Sequence, residues 1–187
     1  MKIRFLLLST IIAMCAGGFA STTVRAETVF KVWHRSSQDL LHTFKRVGGL
    51  DVQFQIQGPT QVFVYGHVDV KHRCIDVPGF GMNYPIGIGM KLEHVDQTGT
   101  SRWVQGSKWG PNIASCDHHY VTIPLDGYMC LTAPGSHRIS VWGTSHTTAT
   151  QYDGVAEISG ASDSDQAGGT NDPYNQMIVR VVPATSC

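Results

Sequence analysis

Apolar and polar residues alternate with a period of two through most of this chain, a pattern that suits β-strands and little else. In "DVQFQIQ" (51–57) Val52, Phe54 and Ile56 alternate with glutamines, as in a strand with one face in a core and the other in water. "QVFVYGHVDV" (61–70) sets Val62, Val64, Val68 and Val70 against Phe63, Tyr65, His67 and Asp69. "IGIGMKLEHV" (86–95) sets Ile86, Ile88, Met90 and Leu92 against Gly87, Gly89, Lys91 and Glu93. The same reasoning predicts strands in 101–106, 119–124, 127–133, 137–143, 153–160 and 175–183. The last is apolar on both faces, as a central strand covered on each side would be.

Turn signals separate these runs: "QGPT", "VPGFGMNYP", "DQTGT", "KWGPN", "PLDG" and "APGS". Helical spacing is confined to 36–47, where Leu40, Leu41, Phe44 and Val47 recur and Ser36 or Ser37 would cap. An irregular lead-in fits those residues equally well. The expected fold is all-β: an antiparallel β-sandwich, jelly-roll-like, with at most one short N-terminal helix.

The N-terminus reads as a signal peptide. Lys2 and Arg4 precede an apolar stretch at 5–16, and small residues follow with cleavage points after Ala20 or, preferred, Ala26. Met14 is a poor fit to a lipoprotein reading of Cys15. Nothing after this segment is apolar for long enough to span a bilayer. The expected product is therefore a single exported domain, 27–187, secreted or periplasmic and of bacterial type.

Loss of Lys2, Arg4 and Arg25 leaves 11 basic residues against 14 acidic ones. With no basic run in the sequence, nucleic acid is not an expected partner. Cleavage also leaves four cysteines, Cys74, Cys116, Cys130 and Cys187. An even count in an exported chain points to two disulfides, and the absence of a C-x-x-C pair disfavours a zinc cage. Three connectivities are open; Cys74–Cys116 with Cys130–Cys187 is preferred.

The stretch "PLDGYMCLTAPGSHRISVW" (124–142) resembles a late hairpin of the tumour-necrosis-factor and C1q-like jelly rolls, and of immunoglobulin-like sandwiches. The jelly-roll resemblance implies a homotrimer with aromatic-rich contacts. "PGSHR" is similar to part of one cupin motif, but the companion H-x-H followed by glutamate is missing.

Three sets of candidate site residues remain. Asp117, His119 and His137 are the best metal set, since Asp117 and His119 would share a strand face; scattered rim histidines are the competing reading. Asp163, Asp165, Asn171 and Asp172, in the polar segment 159–175, offer oxygen ligands to Ca2+, although the EF-hand spacing fails. Tyr84, Trp103 and Trp109 stand in or beside loop-rich stretches, where an aromatic face would suit a glycan; core packing is the alternative.

No G-x-S-x-G, H-E-x-x-H or P-loop motif occurs. The leading expectation is a non-enzymatic binding module, lectin-like or adhesion type, recognising a glycan or cell-surface ligand through its loops. The alternatives are a secreted hydrolase or metal-dependent enzyme, and a structural subunit of a homo-oligomeric surface assembly, which the jelly-roll resemblance implies is trimeric.

Overall fold

The computed structural model describes residues 22–23, 26–34, 36–76, 81–82, 84–109, 120–147, 155–158 and 175–187. Every regular element among them is a strand: β1 (Thr22–Thr23), β2 (Thr28–His34), β3 (Gln38–Leu40), β4 (Lys45–Ile56), β5 (Thr60–His72), β6 (Ile86–Val95), β7 (Ser101–Trp109), β8 (Tyr120–Leu131), β9 (Gly135–Thr147), β10 (Ala156–Ile158) and β11 (Asn175–Pro183).

One sheet has the order β1-β4-β9-β6-β7. The other runs β2-β11-β5-β10-β3, with β8 on the remaining edge of β5. All pairings are antiparallel except β1 on β4. The long strands therefore form two facing layers, β2-β11-β5-β8 and β4-β9-β6-β7, with most connections crossing between them. This is the double-sheet arrangement of a jelly roll.

The alternation places the core as expected. Val52, Phe54 and Ile56, the four valines of β5, and Ile86, Ile88, Met90 and Leu92 all point between the sheets and are buried. Met177, Val179 and Val181 of β11 meet them, with Ile139 and Val141 of β9. Each such side chain contributes about 1.5–3 kcal/mol by leaving water.

The structure corrects the sequence reading in four places. Segment 36–47 forms no helix, because its apolar residues go to different destinations. Leu40 and Val47 enter the core, whereas Phe44 lies over Lys91 on the outside. The chain there is held by Ser145 N–H donating to Leu41 O at 2.9 Å and the Ser145 hydroxyl donating to Leu40 O at 3.1 Å.

"PLDG" does not turn; β8 passes straight through it. Pro124 is tolerated because β8 is paired only with β5 among the described strands. Gly127 is small for a packing reason, since a Cβ there would come 3.0 Å from Leu92 Cδ1 and 3.3 Å from Val104 Cγ1 of the facing sheet.

Strand β2 was not foreseen. It pairs along its whole length with β11 and sends Phe30 and Val32 towards the core. β11 is central in its sheet, as expected, yet Ile178 and Val182 on its outward side remain half-buried.

Strand β4 carries an irregularity between Arg46 and Asp51. Gly49 sits there at φ +76°, where a Cβ would approach Trp33 O to 2.7 Å. Glycine is required on both counts.

Cys130 of β8 and Cys187 form a disulfide with a Cα–Cα distance of 5.5 Å. Together with Ala184 N–H donating to Pro59 O at 2.9 Å, it fixes the C-terminal tail to the sandwich. Cys74 is also disulfide-bonded, with its partner outside the described residues.

Short connections at 57–59, 96–100 and 132–134 close one end of the sandwich. The other end carries Trp109, Tyr120, Thr147 and Asn175. No helix among the described residues is long and apolar enough to cross a membrane.

Candidate functional site

The outward face of the six-stranded sheet follows from strand register. On β5 the odd-numbered residues point away from the core, and pairing sets their neighbours. Phe63 stands opposite Tyr128 of β8 and Arg180 of β11. Tyr65 stands opposite Asp126 and Ile178. One strand further, Val29 faces Arg180 and Trp33 faces Gln176.

The result is an aromatic and aliphatic surface crossing four strands. Phe63 and Tyr128 pack at 5.2 Å between ring centroids, and the Arg180 guanidinium lies 5.9 Å from the Phe63 ring centroid. Arg180 is itself anchored by Glu27, whose Oε1 accepts from Nε at 2.7 Å. Tyr128 is 55% exposed and Tyr65 43%, so large rings face solvent on this sheet.

The outward face of the five-stranded sheet is different in character. Lys91 Nζ sits 3.8 Å from the Phe44 ring centroid and 4.6 Å from that of Trp103. Trp103 meets Trp142 edge-on at 6.1 Å. Glu93 beside them is buried, accepting from the Trp142 indole N–H at 2.9 Å and from the Ser101 hydroxyl at 2.6 Å.

Between the sheets, near the closed end, four rings form a column. Phe30 and Phe54 are 6.1 Å apart, Phe54 and His137 6.0 Å, and His137 and His94 5.2 Å. His94 Nε2 and His137 Nδ1 are 3.0 Å apart, and His137 Nε2 lies 3.0 Å from Ala133 O. Burial lowers both histidines. That of His94 falls to about 4, helped by the charges of His137 and Arg102.

The sequence candidates fall unevenly on this frame. Trp103 is exposed and belongs to the Lys91 cluster. Tyr84, expected at a binding surface, is instead core at 4% exposure. Its ring packs on His72 at 4.8 Å and its hydroxyl donates to Ile75 O at 3.0 Å; burial, aided by Asp76, raises its phenol above the usual range.

His137 lies at the closed end of the sandwich, whereas Tyr120, which directly follows His119, lies at the other. Among the described residues, His137 pairs with His94. Asp117, His119, Cys116, Asp163, Asp165, Asn171 and Asp172 lie outside the described residues, as does the side chain of Trp109. Among the described residues, no three His, Cys, Asp or Glu side chains gather into a metal-ligating group.

Sequence reasoning missed the aromatic face around Tyr65 and Tyr128, the Lys91 clamp and the histidine pair. The outward parity of Phe63 and Tyr65 was visible, but the pairing that puts Tyr128 beside them was not.

No protein-family model matches the chain, and neither does any curated protein sequence. Among solved structures, a chain of the T13 viral particle of IBDV matches with a TM-score of 0.53 at 10% identity. The match covers 95% of this chain and 35% of that one, so this chain spans about a third of the viral protein's length. The VP2 protein of infectious bursal disease virus in T=1 particles gives a TM-score of 0.45 at 12% identity, covering 96% of this chain and 40% of that one. A CocE/NonD family hydrolase from Staphylococcus aureus gives 0.36 at 10% identity, over 92% and 40%. At such identity the first of these establishes a shared β-sandwich fold, and that alone.

Proposed function

We propose that this chain is an exported structural subunit that associates with copies of itself through the outward face of the β2-β11-β5-β8 layer. One observation carries the reading: Tyr65 and Tyr128 are largely exposed beside half-buried Phe63, Trp33 and Ile178 on one continuous sheet surface. A folded β-sandwich gains nothing from leaving such rings in water, and a second copy of the same surface would cover them.

Two further features support it. The IBDV chain that shares the fold belongs to a viral particle, an assembly of many copies. The N-terminal segment 1–26 reads as an export signal, and the Cys130–Cys187 disulfide suits an oxidising destination. The homo-oligomeric role thus takes precedence over a lectin whose ligand is held by loops.

Light scattering on the mature protein over a range of concentrations tests the proposal. A discrete multiple of the monomer mass is expected, and a monomer at every concentration would refute it.

A further inference from the structure

We infer that the outward face of the five-stranded sheet binds an acidic saccharide, held at Trp103, Trp142 and Lys91. This site goes beyond the self-association reading and uses the other sheet.

Two register rows build it. Arg46, Trp142 and Lys91 stand side by side across β4, β9 and β6. Asp51, Ser140, Glu93 and Trp103 form the next row, across β4, β9, β6 and β7. Arg138 follows on β9, opposite Gln53.

The charge on this face is not internally neutralised. Arg46, Lys91 and Arg138 have no carboxylate partner among the described residues. Glu93 lies within the cluster, yet its two oxygens are occupied by the neutral donors of Ser101 and Trp142. Lys91 is held by Phe44 and Trp103 through their ring faces, which fixes the ammonium while leaving its donors available to an anion. With Asp51 and Glu93 on the same face, these three cations leave it one net positive charge, in a sequence whose formal net charge is zero.

The remaining chemistry selects a saccharide. Trp103 is 47% exposed and offers a flat apolar surface to the C–H face of a sugar ring. Arg46, exposed in the row of Trp142 and Lys91, offers donors to sugar hydroxyls. A nucleic acid is disfavoured because Asp51 and Glu93 would oppose a continuous run of phosphates. A uronic acid places one carboxylate beside neutral hydroxyls, which matches this mixture.

Tryptophan fluorescence titration of the mature protein with tetragalacturonate tests the inference, with its neutral methyl ester and a ten-residue oligothymidylate as comparisons. The expected result is binding of the acid that weakens with added salt and exceeds both comparisons by about tenfold or more. Lys91→Gln is expected to lose about tenfold, Lys91→Arg to retain most of the affinity, and Trp103→Ala to abolish binding. Circular dichroism confirms the fold of each variant, and Lys91→Gln suffices should Trp103→Ala not fold. Failure of the acid to bind, equal binding of the ester, or tighter binding of the oligonucleotide would each overturn the proposal. Because Lys91 and Trp103 lie on the five-stranded sheet, their substitutions separate this site from self-association through the other sheet, which carries Trp33.

Discussion

His94 Nε2 and His137 Nδ1 lie 3.0 Å apart in the core, two imidazoles from adjacent strands joined by one proton. The Ala133 carbonyl can only accept, so His137 Nε2 carries a hydrogen and His137 Nδ1 is the acceptor for His94. His94 Nδ1 is then left as a buried lone pair without a partner among the described residues. A second proton on His94 would go there, into a region with Arg102 and Asp96 as its charged neighbours and Phe54 packed on His137.

This arrangement makes the protein acid-sensitive. The folded-state value of His94 falls from 6.5 to about 4, so its contribution to stability is present above about pH 6.5 and is lost as pH falls towards 4. The loss over that window is on the order of 3 kcal/mol. Urea unfolding midpoints measured from pH 7 to pH 4 are expected to drop for the native protein. His94→Gln is expected to flatten the profile, and an unchanged slope in that variant would remove the pair from the account.

The Cys130–Cys187 bridge closes a loop with a sequence separation of 57. Removing it frees the C-terminal tail, at a cost of about 4 kcal/mol if loop entropy dominates. Cys187→Ser is expected to lower the chemical unfolding midpoint in non-reducing buffer. Dithiothreitol should lower the native protein's midpoint at least as far, since it also reaches the disulfide at Cys74.

Gly66 of β5 lies opposite Met177 of β11. An added Cβ would collide with the backbone carbonyl of Gln176, which cannot swing away as a side chain can. Gly66→Ala is expected to destabilise by about 2 kcal/mol, and thermal unfolding is the direct check. A neutral effect would mean that the β5–β11 pairing is looser than its register implies.

Much of this fold was legible because the strong alternations, such as Val62 to Val70 and Ile86 to Leu92, each belong to a strand with one buried face. Strand β2 escaped because Val29 and Trp33 are apolar on the side that Phe30 and Val32 do not use, which erases the period. "PLDG" misled because a Pro on an edge strand and a Gly beneath Leu92 look like a turn in one dimension. The functional surfaces were harder still. His94 and His137, or Tyr65 and Tyr128, are remote in sequence and meet only through register, which no local pattern encodes.

The central claim is that Tyr65 and Tyr128 lie at an interface between copies. Its most direct test is the solution mass of the native protein beside that of a Tyr65→Lys/Tyr128→Lys variant at matched concentration. Both side chains point outward, so the variant should keep the native circular dichroism spectrum. The account predicts a defined oligomer for the native chain and a monomer for the variant. Equal masses for the two would contradict it.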